Sequence, residues 1–390
     1  MGNSFSIDDV PDMTDKVCIV TGANSGRDPV EKWVELTPTS NGDLLLAIIN
    51  SSQIGNVCAT VLAKKGAHVC YSSHHLCVLC TPEDLRITLS TTSVPSFLAC
   101  RTASKTNPIV AEIKSTTGNN KVEFLELDLL SLTSVASCAE TFKARKLPLH
   151  LLLNNAGVMS NPFTLSADGL ESQFATNHVG HFLLTMQLLP ILEASAPSRI
   201  VEVSSVGHNL TYGGLGLEYL NDPKKYTAWY AYARSKLANI LFVRELNKRL
   251  EAKGVKNVYV NANHPGSVGS DIFRHTHETT APKFLIDFVK NNMLMSLEAG
   301  AATQMYLATS PEVEEKDIRG HREAVSGSHR DGWKSEGFST FVFSPRSQVP
   351  IAKPGRTSWA ARDDKLAEEL WTWTVNTLKE KVPGYSGPTI

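Results

Sequence analysis

The sequence predicts an α/β fold in which a parallel β-sheet lies between two layers of helices. Short apolar runs rich in β-branched residues, a pattern typical of buried parallel strands, recur along the chain. They occupy residues 16–21, 122–127, 149–153, 199–203 and 258–262. Segments of helical length separate them, at residues 131–145, 165–193 and 229–251. Because strand and helix alternate, a doubly wound sheet is the expected architecture.

A last helix is expected at residues 363–382, near the end of the chain. Its apolar side chains recur at helical spacing and therefore share one face. They are Leu366, Leu370, Trp373, Leu378 and Val382. We predict a single domain over residues 16–382, preceded by a polar tail at residues 1–15.

The composition favours a compact protein that acts on a small molecule. The chain has 390 residues, of which 42% are hydrophobic, and its 38 Lys and Arg residues nearly balance 39 Asp and Glu residues. Such a balance gives no long-range field toward nucleic acid or acidic lipid, so neither partner is expected. Seven scattered cysteines suggest buried free thiols in a reducing compartment.

The expected location is the cytoplasm, because no stretch reaches the roughly 18 apolar residues of a membrane span and the start lacks a signal-peptide layout. Gly2 followed by Ser6 does fit a myristoylation pattern. One acyl chain binds a membrane only weakly, and the neighbouring acidic residues add no attraction to acidic lipid. We therefore do not expect stable attachment to a membrane.

Three stretches break the rhythm of strands and helices, near residues 27–53, 71–97 and 321–348. The residues on either side of each stretch read as continuous when that stretch is removed. We interpret all three as insertions into a complete fold, and retained introns are one possible origin.

A glycine-rich turn follows the first predicted strand. Gly22, Asn24, Ser25 and Gly26 precede the first insertion, and Ile54-Gly55 follow it at the start of a predicted helix. Backbone N–H groups of such a turn can approach a pyrophosphate at a helix N-terminus, as in Rossmann-type dinucleotide-binding domains. A plain turn is the alternative.

Two further positions bear on the choice of cofactor. Arg101 follows Leu98-Ala99-Cys100, which we interpret as the end of the second strand. A guanidinium there can bind a 2′-phosphate, which favours NADP(H) over NAD(H), although a solvated arginine is the alternative. Asp128-Leu129 lies at the end of the third strand and is a candidate contact for the adenine. Asp128 could equally be the N-cap of the helix that follows near Ser131, and both roles are compatible.

Asparagines at two places have candidate roles around the same cleft. Asn154-Asn155-Ala156-Gly157 directly follows a strand, where small residues let the backbone line a cofactor site. Asn177 lies inside a long apolar helix, where its amide needs a specific partner. The nearby His178 and His181 are expected to belong to the core.

The strongest chemical signal is Tyr232-Ala233-Arg234-Ser235-Lys236, preceded by a strand that ends in Ser204-Ser205. Residues four apart share a helix face, so the Lys236 ammonium should lie near the Tyr232 phenol and lower its pKa toward neutrality. General acid/base catalysis needs such a group, and Ser205 can donate a hydrogen bond to a substrate oxygen.

Together these motifs resemble the short-chain dehydrogenase/reductase family. The segments LACR, NHVGHFLLT and YARSKLANILF are similar to its retinol-dehydrogenase-like branch. The resemblance covers residues 16–320 and 349–382 apart from the insertions. It implies hydride transfer between a nicotinamide cofactor and an apolar alcohol, aldehyde or ketone.

The resemblance also assigns roles to individual residues. Tyr232 exchanges the proton, Lys236 binds the nicotinamide ribose, Ser205 orients the carbonyl and Asn177 holds a water of the proton relay. Pro265-Gly266 would contact the nicotinamide end, with Ser270 nearby. The implied oligomer is a homodimer.

The sequence departs from the family at its phosphate-binding turn, which the segment 27–53 interrupts. A second hypothesis therefore is a catalytically impaired protein of this fold that does not bind cofactor. A nucleotide-sugar epimerase, which also uses a Tyr/Lys pair, is a third, but the chain leaves little room for a sugar-binding domain. His74, His75, Cys77 and Cys80 have plausible zinc spacing but no second ligand pair, so we predict no metal site.

Overall fold

The computed structural model describes residues 5–22, 54–73, 98–100, 103–211, 214–266, 296–320, 341–342, 354–355 and 357–390. Seven strands of this part form one parallel sheet. They are β1 (Val17–Thr21), β2 (His68–Ser73), β3 (Leu98–Cys100), β4 (Val122–Phe124), β5 (Leu151–Asn154), β6 (Ser198–Val203) and β7 (Val258–Asn263). The order is β3-β2-β1-β5-β6-β7, and β4 also pairs with β2.

Helices cover both faces of the sheet, as the sequence predicts. They are α1 (Ile54–Lys64), α2 (Ala103–Thr117), α3 (Leu132–Ala144), α4 (Ser172–Phe174), α5 (Gly180–Ala194), α6 (Ala228–Ala252), α7 (Leu297–Thr309), α8 (Glu312–Glu315) and α9 (Asp364–Lys381). A π-helical turn, Ala175–Val179, joins α4 to α5. The predicted doubly wound α/β architecture is therefore confirmed.

Alternation along the central strands divides the core into two layers. Ile19 and Ile200 face α3, α5, α6 and α9. Val20 and Val201 face α1, α2 and α7. Successive side chains of a strand point to opposite faces, so strands buried on both sides need apolar residues at nearly every position.

Helix α9 completes the first layer through an aromatic cluster. The Trp371 ring lies 5.0 Å from the Phe182 ring and 6.1 Å from the Phe242 ring, and the Arg249 guanidinium lies 4.5 Å from it. The His178 ring contacts both phenylalanines, and its Nε2 lies 3.2 Å from Thr374 Oγ1 of α9. The amphipathic pattern at residues 363–382 thus correctly predicted a helix packed on the core.

Several predicted boundaries are wrong. The helix predicted over residues 165–193 begins only at Ser172, because the Glu171 carboxylate accepts from the backbone N–H groups of Gln173 and Phe174 and caps it there. Residues 165–171 instead form a turn with Gly169 at φ +74°. Helices α2 and α7 were not predicted; α2 carries an internal proline, and α7 is buried almost all round.

The second strand also differs from its prediction. Tyr71, Ser72 and Ser73 belong to β2 and pair with Leu98, Ala99 and Cys100 of β3. The first three residues of the second predicted insertion are therefore part of the sheet. Leu98–Cys100 is a separate strand beside β2, and not the end of β2.

Residues 5–15 do more than form a polar tail. Ile7–Asp9 is a 3-10 helix capped by Ser6, and Val10 and Met13 are buried in the second layer. The Phe5 ring packs edge-on against Tyr306 at 5.4 Å. In the third predicted insertion, Phe341–Val342 pairs antiparallel with Pro354–Gly355.

Candidate active site

Tyr232, Lys236 and Ser205 meet at the carboxyl edge of the sheet. Ser205 follows the end of β6, and the other two lie on one face of α6, both buried. Lys236 Nζ lies 5.7 Å from the centroid of the Tyr232 ring, as expected for residues four apart. The Ser205 side chain hydrogen-bonds the phenol.

Lys236 is fixed by backbone and faces Asn177 across a glycine. Its Nζ donates to the Val203 carbonyl at 2.9 Å. A Cβ added to Gly157 would lie 3.3 Å from Lys236 Nζ and 3.4 Å from Asn177 Oδ1. Only a residue without a side chain leaves this space free, so the glycine of the Asn-Asn-Ala-Gly segment opens the site.

The Asn177 amide ties the loop after β5 to helix α6. Its Oδ1 accepts from Val158 N, and its Nδ2 donates to the Val158 carbonyl and to Ser235 Oγ, each at 2.9 Å. Asn177 itself is fully buried in the π-helical turn. The sequence predicted that this amide needs a partner, and these contacts supply three. The water that Asn177 is expected to hold for the proton relay stays a prediction.

The loop after β5 is bound to the end of β1 through Thr21. Thr21 Oγ1 accepts from Asn155 N and Ala156 N, both at 2.9 Å. Asn155 Nδ2 donates to the Thr21 carbonyl at 2.9 Å. His181 Nε2 lies 3.0 Å from Thr21 Oγ1, and its Nδ1 lies 3.2 Å from the Asn177 carbonyl, so this core histidine joins the two loops.

Gly22, directly after β1, packs against the same loop. Its φ is +76°, and a Cβ placed there would lie 2.6 Å from Ala156 Cα. No side chain fits at that distance, so the turn requires glycine. Ile54 and Gly55 begin α1 and are buried. Asn24, Ser25, Gly26, Arg101 and Ser270 lie outside the described residues.

The remaining predicted residues occupy the rim of this edge. Asp128 Oδ1 accepts from Leu130 N, and Ser131 is the N-cap of α3, so the proposed N-cap role of Asp128 is wrong. Leu129 is buried and contacts Gly180. Pro265 and Gly266 follow β7 half-buried, with Gly266 at φ +92°.

The electrostatic prediction for Tyr232 is not met in the free protein. Burial raises the pKa of Tyr232 to about 12, and its hydrogen bond with Ser205 only partly opposes this effect. Burial also lowers the pKa of Lys236 to about 8. Desolvation disfavours both charged forms, and the spacing argument left this cost out.

Sequence reasoning missed three residues that support the site. Glu202 of β6 is fully buried, and its Oε1 accepts from Asn154 Nδ2. Gln304 of α7 donates to Asn155 Oδ1 at 3.4 Å and accepts from Cys58 Sγ at 3.3 Å. His208 Nδ1 lies 2.7 Å from the Ser205 carbonyl. A charged residue inside an apolar strand was the available signal for Glu202.

The site can also be tested for its fit to a nicotinamide cofactor. Neither side-chain polar atom of Asn263, at the buried end of β7, has a partner among the described residues. At the same edge, the half-buried Gly157 keeps the space beside Lys236 and Asn177 free of a side chain. Unpaired polar atoms and bare backbone at the carboxyl ends of parallel strands are features that such a cofactor uses.

Other features bear on the wider predictions. Cys18, Cys58 and Cys138 are buried, as expected. No helix in the described ranges is long and apolar enough to cross a membrane. The segment containing His74 to Cys80 is outside those ranges.

Comparisons with known proteins agree with this geometry. The family model for short chain dehydrogenases matches residues 88–281. Short-chain dehydrogenase TIC 32 A, chloroplastic, of Brassica napus is 36% identical over 77% of this chain and 87% of its own length. Human retinol dehydrogenase 12 is 37% identical over 72% of this chain and 78% of its own length.

A solved structure has the same fold. It is an uncharacterized protein from Mycobacterium paratuberculosis, with a TM-score of 0.61 and 26% identity, which covers 97% of this chain and 98% of its own. The matching relatives, the parallel sheet, and the buried tyrosine and lysine beside a half-buried serine at its edge lead to one assignment. The chain belongs to the short-chain dehydrogenase family of oxidoreductases, in its retinol-dehydrogenase-like branch.

Proposed function

We propose that this protein transfers a hydride between NADP(H) and an apolar alcohol, aldehyde or ketone, with Tyr232 as the general acid/base. The observation that carries the proposal is the convergence of Tyr232, Lys236 and Ser205 in one buried site. Ionisable groups whose pKa values are strongly shifted by burial and that gather at one place are typical of active sites.

In the direction of reduction, Tyr232 gives its phenolic proton to the carbonyl oxygen while the carbonyl carbon is reduced. With its raised pKa the phenol is protonated at neutral pH, the form that a general acid requires. Ser205 donates a hydrogen bond to the substrate oxygen, and the Lys236 ammonium stabilises the phenolate that remains. The bound nicotinamide supplies or accepts the hydride at its C4 atom.

Several residues would hold the cofactor. The turn at Gly22 would meet the pyrophosphate, and the Asn155-Ala156-Gly157 loop would line the cleft. Lys236 would bind the nicotinamide ribose, and Pro265-Gly266 would border the nicotinamide. The preference for NADP(H) rests on Arg101, whose guanidinium can bind a 2′-phosphate.

The proposed substrate class is apolar, in line with the printed names of the retinol dehydrogenases among the relatives. A retinoid, a steroid or a secondary metabolite with one carbonyl or hydroxyl group fits this description. The proposal places the enzyme in the cytoplasm as a homodimer, and cell fractionation with light scattering on the purified protein tests both points.

A panel of apolar aldehydes, ketones and alcohols assayed with both nicotinamide cofactors tests the function. We expect turnover with NADPH or NADP⁺ and a much lower rate with the other pair. Binding of either cofactor without turnover of any panel member would count against the proposed reaction.

A second candidate function follows from the 27 residues at positions 27–53 that separate Gly26 from Ile54. If they obstruct the phosphates, the protein keeps its fold but binds no cofactor. A variant that lacks residues 27–53 should then gain NADPH binding relative to the full chain. Equal affinity in the two proteins would dismiss this candidate.

A further inference from the structure

A buried polar cluster lies beneath the candidate active site, within the helix layer that contains α5 and α6. Glu202 Oε1 accepts from Asn154 Nδ2, and the same nitrogen lies 2.9 Å from Thr185 Oγ1. All three side chains are at most 1% exposed. Glu202 Oε2 has no hydrogen-bond partner among the described residues.

A carboxyl group in such a place calls for an explanation. Isolated buried charges are costly, and buried carboxyls usually have several donors or a cation beside them. Here one amide donor serves the whole carboxyl group, and the neighbouring helix and strands supply Thr185, Asn154 and Ala262, none of which titrates. The charged group that acts on Glu202 is Lys236, from α6.

Lys236 is likewise a buried ionisable group, and its charge is opposite to that of an ionised Glu202. The residue is 2% exposed, and its ammonium donates to the carbonyl of Val203, which follows Glu202 in β6. Within the described ranges no carboxylate oxygen lies at ion-pair distance from Nζ, so no direct salt bridge offsets its burial. Glu202 is the carboxyl group whose charge stabilises this ammonium.

We propose that Glu202 is a positioning residue of the active site that keeps Lys236 charged: when the Glu202 carboxyl ionises, the resulting negative charge holds the ammonium in place beside Tyr232. Asn154 and Thr185 orient the carboxyl. This role rests on the proposed function only where it concerns turnover, since the coupling of the two charges exists without cofactor.

The two groups change charge over the same pH range. Burial raises the pKa of Glu202 to about 8 and lowers the pKa of Lys236 to about 8. At low pH the carboxyl is neutral and contributes little to holding the ammonium. As the pH rises toward 8 and Glu202 ionises, the carboxylate opposes loss of the lysine proton. Above that pH Lys236 becomes neutral, so the coupling of the two charges should be largest near pH 8.

A double-mutant cycle of Glu202→Gln and Lys236→Met, followed by urea unfolding, tests this coupling directly. At about pH 8, where both groups can carry charge, we expect non-additive shifts of the urea midpoint, because removing one partner leaves the other without its compensating charge. At about pH 6 the shifts should come close to additivity. Glu245→Gln is the matched control, since Glu245 is a buried carboxylate of α6 that pairs with Arg249 at 2.8 Å.

Two results of the cycle would overturn the proposal. One is additivity at both pH values. The other is equal non-additivity at both, which would mean a packing or hydrogen-bonding role without charge. Glu245→Gln combined with Lys236→Met should be additive throughout. The measurement needs neither substrate nor cofactor, so it stands even if the proposed reaction fails.

A pH profile of kcat/KM gives a second readout if the Lys236 variant does not fold. In Glu202→Gln, the alkaline limb should move to lower pH by about one unit, because the ammonium loses its stabilising charge. Glu202→Asp keeps the charge and should restore most of the shift. An unmoved limb in a folded, active Glu202→Gln enzyme would contradict the proposal.

Discussion

Replacing Gly22 by alanine should damage the candidate cofactor site by a predictable amount. The new Cβ would lie 2.6 Å from Ala156 Cα, whereas carbon atoms pack at about 3.5 Å. The turn and the Ala156 loop must therefore separate by about 1 Å. That movement would break the 2.9 Å hydrogen bonds from Asn155 N and Ala156 N to Thr21 Oγ1.

The cost has two parts. An alanine at positive φ costs about 1 kcal/mol, and the two hydrogen bonds contribute about 1 kcal/mol each, so the free energy of unfolding should fall by about 3 kcal/mol. Because a displacement of about 1 Å can cost about 100-fold in rate, kcat/KM should fall by that order. Urea unfolding followed by circular dichroism measures the first effect, and steady-state kinetics measures the second. Fluorescence titration with NADPH shows whether cofactor affinity falls as well.

Gly118→Ala is the matched control. Gly118 has φ +70°, yet a Cβ there meets nothing within 4 Å. This variant should lose only the backbone cost of about 1 kcal/mol and keep its cofactor affinity. If both variants lost equal stability and bound NADPH equally well, the reasoning about the Gly22 contact would be refuted.

Two further predictions concern stability. Trp371→Ala should lower the free energy of unfolding by about 3–5 kcal/mol, since Trp371 packs on Phe182 and Phe242. Trp359→Ala is the control and should change it little, because Trp359 is 76% exposed. Equal urea midpoints for the two variants would contradict this. Burial lowers the pKa of His178 to about 3, so its contribution to stability is complete above its ordinary pKa of 6.5 and is lost as the pH falls below that value. This loss should be about 2 kcal/mol at about pH 5. His178→Gln should lose less stability over the same pH range. A variant with the pH dependence of the wild-type protein would contradict this prediction.

The sheet and the main site could be predicted because their signals are local. β1 and β5 are mostly apolar, and β6 and β7 each contain a run rich in β-branched residues, so each strand was recognisable on its own. The contact of Tyr232 with Lys236 follows from helix geometry alone. The close approach expected at the glycines at positions 22 and 157 is present in the structure, whereas their contact with a cofactor stays a prediction.

The rest depends on contacts between distant parts of the chain. The role of Gln304 requires α7 to lie beside the loop after β5, which no local pattern indicates. β3 is three residues long and was taken for an extension of β2, because pairing partners cannot be read from one strand. The high pKa of Tyr232 arises from burial by surrounding elements, so an argument based on its helix alone gave the wrong direction.

The central claim is that Tyr232 exchanges the proton beside a bound nicotinamide. A comparison of wild-type protein with Tyr232→Phe tests it most directly, by recording consumption of NADPH in the presence of an accepted carbonyl substrate. We predict that the variant binds NADPH with nearly the wild-type affinity but that its turnover falls by about 100-fold or more, as for loss of a general acid. A variant that consumes NADPH at the wild-type rate would contradict the account.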